Sequence, residues 1–218
     1  DLNYWTESRC SKATFDESTQ QWEVEVMRKG EKLTLRPTQL VFTTGAYGPP
    51  KGIPIKGKKK FKGQIFHSSE YQDGRAFKGK RCVVVGSATS AHDICQDLWE
   101  CGAKSVTMVQ RSSSIIIKSE TLLEYGFGEL YSEQALKNGI TTDKADLLFA
   151  SLPYKLVPDV HREVYRQMYE HDKEFYDQLQ ESGFRFDFGE DGSGLLMRAL
   201  RTASGFYIDV GASELIIQ

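Results

Sequence analysis

Along Lys80 to Arg111, KRCVVVGSATSAHDICQDLWECGAKSVTMVQR, the apolar positions change period twice. An unbroken β-branched run, Val83-Val84-Val85, meets Gly86. Beyond it Ala91, Ile94, Cys95, Leu98 and Trp99 recur at the i, i+3, i+4 spacing of one buried helix face. Gly102 stops that helix, and a second run, Ser105-Val106-Thr107-Met108-Val109, ends at Gln110 and Arg111. The pattern predicts strand, glycine turn, helix and parallel strand, a βαβ unit whose helix N-terminus can face a pyrophosphate.

Upstream the period is two. Ala13 to Asp16 and Trp22 to Met27 alternate apolar with polar around a DESTQQ turn, and Lys32 to Leu35 follows Lys29-Gly30, which predicts three short antiparallel strands. Asp1 to Cys10 lacks a start methionine and reads as a strand entering from an earlier element, with Leu2, Tyr4 and Thr6 on one face. Leu40-Val41-Phe42 reads as a buried strand ending in Thr43-Thr44-Gly45-Ala46 before a glycine and proline turn. Taken alone, that segment is either a strand stopped by a loop or the junction between two nucleotide-binding domains.

Downstream, helices are expected over Leu122 to Tyr131 and Asp143 to Leu152. A long amphipathic helix is expected over His161 to Ser182, with Val164, Met168, Phe175 and Leu179 on one face. Pro153 and Pro158 are read as chain breaks. His161 and His171 stand ten positions apart, too far to share a metal from adjacent turns, and read as structural histidines. FDFGEDGSG, Phe186 to Gly194, has Arg198 where a calcium loop needs its terminal glutamate, and reads as a turn.

Composition changes this picture little. Of 218 residues 39% are hydrophobic and 27% charged, ordinary for a globular chain with room for a sizeable core. A formal net charge of -2 gives no global attraction to nucleic acid or to an anionic membrane. Cys10, Cys82, Cys95 and Cys101 form no CxxC, which argues against zinc and for a reducing compartment. Without a membrane-length apolar run or a signal-peptide pattern, a soluble, cytoplasmic protein is expected.

Lys51 to Lys80 has the composition of a linker, with five glycines and many lysines. The cluster Lys56 to Lys60 reads as a solvated turn, since no aromatic interleaving suits it to base stacking. The same linker carries Phe61-x-Gly63-x-x-x-His67-x-x-x-Tyr71. This resembles the FxGxxxHxxx(Y/F) fingerprint of the flavin-containing monooxygenases, the class B flavoproteins that also include Baeyer-Villiger enzymes. Thr43 to Ala46 resembles the family's ATG-type motif. Gly86 to Ile94 and Val109 to Ser113 resemble its NADPH-domain fingerprint and phosphate-binding strand end, and Gly205 to Ile216 is similar to its fungal and bacterial branch.

The resemblance implies an α/β fold: a Rossmann-like NADPH-binding domain, its parallel sheet covered by helices on both faces, beside an antiparallel β-meander remnant of an FAD domain. Residues 1–50 would be the C-terminal part of the FAD domain and 51–80 an interdomain linker. Residues 81–218 would be the NADPH domain, with a helical insertion at about 118–200. The cofactors implied are NADPH and FAD; the cofactor-binding candidates are Gly86, Ser87, Ala88, Thr89, Ser90, Ala91, Arg111, Ser112, Ser113, Thr43, Thr44, Gly45 and Ala46. No residue reads as a general acid or base, and His67 and Tyr71 are candidates for ordering the domain interface. Partners implied are O2 and a small-molecule substrate, with no nucleic acid, no membrane span and a possible homodimer.

Two departures matter. The family's first FAD-binding GxGxxG is not among these residues, so the chain looks like an internal piece that is inactive alone. In the second turn GxGxxG becomes Gly86-Ser87-Ala88-Thr89-Ser90-Ala91, which puts a Cβ at Ala88 where glycine lets the backbone approach the pyrophosphate, a weakened site. Arg111, 25 positions after Gly86, favours a 2′-phosphate and hence NADPH over NADH.

The activity implied is NADPH- and FAD-dependent oxygenation of a soft nucleophile, amine or sulfide, through a flavin C4a-hydroperoxide. Other classes remain open at this point. A disulfide reductase would need a redox cysteine pair that Cys95 and Cys101 do not supply, whereas a non-catalytic NADP-binding module is compatible with Ala88.

Overall fold

The computed structural model describes residues 3–45 and 47–218. The protein is mixed α/β and divides into two compact units, one up to Ile53 and one from Pro54 to Gln218.

In the first unit β1 (Ser8–Asp16), β2 (Gln21–Arg28) and β3 (Glu31–Leu35) form an antiparallel meander. The β2–β3 hairpin turns through Lys29 (φ 50°) and Gly30 (φ 86°), the two left-handed positions whose twist matches that of the flanking strands. Val24 and Val26 supply the buried face, and Phe15 packs on Trp22 with ring centroids 5.3 Å apart.

Two expectations are corrected here. The first strand begins at Ser8 and runs unbroken into Ala13–Asp16, with a bulge between Cys10 and Lys12, whereas Tyr4 and Thr6 lie outside it; Leu2 lies outside the described residues. Leu40-Val41-Phe42 is not a strand, and Val41 and Phe42 are exposed. Apolar, β-branched character suits a strand, but a ladder forms only where a neighbour takes up the backbone amides and carbonyls. No described residue does so at this segment.

In the second unit β4 (Arg81–Val85) and β5 (Ser105–Val109) pair in parallel, Arg81 with Ser105 through to Val85 with Val109, and α1 (Thr89–Glu100) crosses between them. The buried residues of α1 are Ala91, His92 and Leu98; Trp99 is 54% exposed, so the buried arc excludes it and includes a histidine.

A second parallel pair, β6 (Ile115–Lys118) with β7 (Phe206–Asp209), was not anticipated by period. Ile115, Ile116 and Ile117 are all buried, so the strand shows no alternation. Ile115 and Ile117 pack against Leu122, Tyr165 and Met168; Ile116 packs against Tyr176, Leu179 and Tyr207.

Helical structure fills the chain between β6 and β7. The single turn α2 (Ser119–Thr121) continues as a π-helical turn to Phe127, so the helix expected to reach Tyr131 stops at Gly128. It is followed by α3 (Glu133–Lys137), α4 (Thr142–Ser151), α5 (Val157–His171), α6 (Lys173–Glu181) and α7 (Gly194–Thr202); α8 (Glu214–Ile217) follows β7. Pro158 does not break the chain: it occupies the first turn of α5, where proline's missing N–H costs nothing.

The long helix expected over His161 to Ser182 is two helices joined at Asp172. Asp172 is buried, its carboxylate accepting from the Thr121 hydroxyl (2.5 Å) and pairing with Lys118 (3.3 Å). Those bonds hold the joint while Met168, Phe175 and Leu179 remain on the buried side, which is why the periodicity looked continuous. In 186–194 the carboxylates of Asp187 and Asp191 pair with Arg198 and Arg201. Among the described residues no helix is long and apolar enough to cross a membrane.

Candidate functional site

The turn from β4 into α1 is the centre of the site. Gly86 has φ 134°, a conformation L-residues rarely adopt, and its N–H donates to the Val109 carbonyl (2.9 Å), extending the β4–β5 ladder by one bond. A Cβ there would lie 3.8 Å from Ala91 Cβ, an ordinary contact, so the backbone angle rather than crowding calls for glycine. Ala88 is the N-cap of α1 in an extended conformation (φ -101°, ψ -175°), without a side-chain cap, and the first turn of α1 contains no acid. The Thr89 and Ser90 amides, which have no acceptor among the described residues, and the positive dipole end of a twelve-residue helix could face an anion.

The hydroxyls around the turn are mostly committed. Ser114 Oγ donates to the Ser87 carbonyl (2.6 Å), so across the 2.8 Å contact between the two hydroxyls the donor is Ser87. Thr89 Oγ1 donates to the Phe206 carbonyl (3.1 Å), and Ser113 donates to Asp187. Ser90 and Ser112 are exposed; Ser90 lines a recess of about 380 Å³ with Ser68, Ser69, Tyr71, Asp93 and Ile94.

At the end of β5 Arg111 is exposed, and its guanidinium has no carboxylate partner among the described residues. Its backbone is clipped from a segment the sequence did not point to. Arg185 donates from Nη2 to the Gln110 and Arg111 carbonyls (2.9 and 2.8 Å), while the Gln110 side chain exchanges two hydrogen bonds with the Arg185 backbone (2.7 and 2.8 Å).

The FxGxxxHxxxY stretch docks on α1. His67 is exposed and caps the short 3-10 turn Ser68–Glu70: Nδ1 accepts from the Ser69 N–H, and Glu70 returns a bond to the His67 N–H (both 3.1 Å). Tyr71 stacks on Phe77 and donates its hydroxyl proton to Asp97 (2.6 Å). Asp97 also accepts from the Gly74 N–H (2.7 Å) and the Cys101 thiol (3.4 Å). A Cβ on Gly74 would come within 2.5 Å of the Asp97 carbonyl oxygen, so the approach of this segment to α1 requires glycine.

Burial and the Asp97 carboxylate raise the Tyr71 pKa, and the Tyr71 hydrogen bond lowers that of Asp97, as expected of a donor facing an ionised acceptor. Asp97 escaped the sequence reading because two of its three partners, Tyr71 and Gly74, lie more than twenty residues upstream. Burial pushes the Cys95 thiol up to about 12, opposite to what a redox cysteine needs.

Thr43, Thr44 and Gly45 are exposed in the first unit, Gly45 with φ 78°; Ala46 lies outside the described residues. The second unit therefore brings together Gly86–Ala91, Arg111–Ser113 and Tyr71.

Residues 5–173 match the family model described as flavin-binding monooxygenase-like. The chain belongs to that family. It is 32% identical over 155 residues to a probable indole-3-pyruvate monooxygenase, YUCCA10, of Arabidopsis thaliana, a match covering 70% of this chain and 40% of the relative. It is 34% identical over 103 residues to a trimethylamine monooxygenase of Methylocella silvestris, covering 46% and 23%. Among solved structures, the crystal structure of Tmm from Pelagibacter sp. strain HTCC7211 aligns at 30% identity with a TM-score of 0.44, over 48% of this chain and 24% of that one. The chain thus spans less than half the length of these relatives.

Proposed function

We infer that this chain supplies the NADPH-binding part of an NADPH- and FAD-dependent monooxygenase that transfers one oxygen atom of O2 to a soft nucleophile, an amine or a sulfide. The observation that carries the reading is the acid-free, uncapped N-terminus of α1 together with Arg111, which has no carboxylate partner among the described residues, at the end of the adjoining parallel strand. Amides of the first turn, including those of Ala88, Thr89 and Ser90, would bind the pyrophosphate, with Gly86 and Ala91 shaping the turn and Ser87 tying it to Ser114. Arg111 and Ser112 would take the 2′-phosphate, and Ser113 would hold that loop through Asp187.

When bound, the nicotinamide supplies hydride and the flavin activates oxygen; the protein orients both and excludes water. In this reading residues 1–50, with Thr43 to Ala46, belong to an FAD domain. Residues 51–80 link it to the NADPH domain of residues 81–218, whose helical insertion spans about 118–200. Tyr71 and His67 order that linker through Asp97 and the cap of Ser68–Glu70.

The test is calorimetric. The 218-residue chain is expected to bind one NADPH, to bind NADH more weakly, and to purify without stoichiometric flavin, because it contains no second glycine-rich dinucleotide turn. Equal affinities would remove the 2′-phosphate assignment, and a flavin spectrum near one equivalent would overturn the domain assignment.

A further inference from the structure

His92 is fully buried in the first turns of α1, its ring stacked on Tyr207 of β7 with centroids 4.0 Å apart and planes 5° from parallel. The Phe184 ring lies beside it at 5.7 Å. Nδ1 stands 3.2 Å from the Ala88 carbonyl oxygen, an acceptor, so Nδ1 carries the proton. In the neutral ring Nε2 is then an acceptor; it is buried and has no partner among the described residues.

The same Ala88 carbonyl accepts the Ala91 and His92 N–H groups (2.9 and 3.2 Å), so three donors converge on one oxygen. β7 grips the turn a second time at the neighbouring residue, where the Phe206 carbonyl accepts from Thr89 Oγ1.

We propose that His92 is the positioning residue of the glycine turn, aiming the first helical amide at the dinucleotide by fixing the peptide plane that carries it. The Ala88 carbonyl and the Thr89 N–H belong to one trans peptide and point in opposite directions. A carbonyl held toward His92 therefore turns the Thr89 amide away from the ring. Stacking on Tyr207 holds the imidazole where its Nδ1–H meets that carbonyl. This role rests on the dinucleotide reading above.

Only the neutral ring fits the pocket. Protonation would add an Nε2 donor with no acceptor in a buried site, and burial accordingly lowers the His92 pKa against the opposing pull of the Ala88 carbonyl, Asp209 and Asp93. The titratable groups that face it are Asp93 on its own helix and Asp209 and Tyr207 from β7; Phe184 is apolar.

The test compares His92→Asn, whose side-chain amide can reproduce the Nδ1 donor and does not titrate, with His92→Leu. The readouts are the Thr89 backbone amide resonance and NADPH affinity between pH 5.5 and 8. For His92→Asn the Thr89 resonance is expected to stay at its wild-type position. For His92→Leu it is displaced and affinity falls about three- to tenfold, the scale of one neutral hydrogen bond. As pH falls through the lowered His92 pKa, wild-type affinity falls more steeply than that of His92→Asn, the 2′-phosphate being protonated equally with both.

A Thr89 amide unmoved in His92→Leu, or displaced in a folded His92→Asn, overturns the proposal. If His92→Leu does not fold, His92→Asn decides alone, by holding or displacing that amide. Should the wild type bind neither NADPH nor NADH, the dinucleotide reading fails, and the Thr89 resonance still decides whether His92 positions the turn.

Discussion

At its N-terminal end α1 is held by neutral groups: the Ser87–Ser114 hydroxyl pair, Thr89 on the Phe206 carbonyl, and His92 on the Ala88 carbonyl. In its last turn the same helix is held by a carboxylate, Asp97, which accepts from Tyr71, Gly74 and Cys101. The contrast follows from the helix dipole. An acid in the first turn would be stabilised by the positive end but would occupy the place of an anionic ligand. An acid near the negative end is opposed by the dipole and persists where other donors compensate, and Tyr71 and Gly74 provide two of them. On the proposed reading the N-terminal end is completed by a ligand, whereas the C-terminal end is completed by the chain itself.

The largest effect should come from breaking the ligand end. On the proposed reading Arg111→Ala removes a guanidinium whose charge-assisted bond to a 2′-phosphate would contribute roughly 1.5–3 kcal/mol, so NADPH affinity should fall about ten- to a hundredfold while NADH is nearly unchanged. Titrating both nucleotides separates specificity from damage, since a disturbed β5 would weaken both alike. Equal losses would make Arg111 a structural residue.

Next in size is the self-completed end. Asp97→Ala strips Tyr71 and the Gly74 amide of their acceptor and should cost about 2 kcal/mol of stability, part of the gross hydrogen-bond energy being returned by water at this half-buried site. Thermal melts check this.

The pH dependence has a defined sign. Asp97 has its pKa lowered in the fold, so its contribution is fully present above the unfolded value near 3.8 and is lost as pH falls through the lowered folded value. Asp97→Asn should flatten that acid limb. A variant with wild-type melting at pH 7 and pH 3 alike would show that the three donors find other partners.

The comparison also explains what the sequence could reveal. The β4–α1–β5 unit and the Lys29-Gly30 hairpin are local: each rests on a periodicity or a turn dipeptide within thirty residues, and each formed as the pattern implied. The Ile115–Ile117 strand has no alternation because both of its faces are covered by helices from later in the chain. Leu40–Phe42 carried the composition of a strand without a partner to pair with. At the site, glycine and arginine positions were legible because backbone angle and charge are properties of the residue itself. The fate of a hydroxyl proton is not: Ser113 reads as a phosphate donor until Asp187 is found opposite it. His92 counts as polar in any hydropathy pattern, yet a hydrogen bond inside its own helix and a stacked tyrosine let it join the buried stripe. Asp97 and Arg185 likewise acquire their roles only from partners distant in sequence.

The smallest effect concerns Ala88, where the two ends of α1 can be set against each other. Its extended φ and ψ suit any residue, so the methyl group is tolerated by the backbone, and its cost would arise only when a pyrophosphate approaches. Ala88→Gly should therefore tighten NADPH binding by about 1 kcal/mol, the scale of a small steric misfit. Stability should change little, because glycine is a better N-cap than alanine but adds backbone freedom to the unfolded chain. The same substitution should leave the Asp97 cluster untouched, since Tyr71 and Gly74 bond to the far end of the helix. Calorimetry on Ala88→Gly that shows unchanged or weaker affinity would mean that the turn accommodates the methyl group, and that the open end of α1 is limited by its amide directions rather than by space.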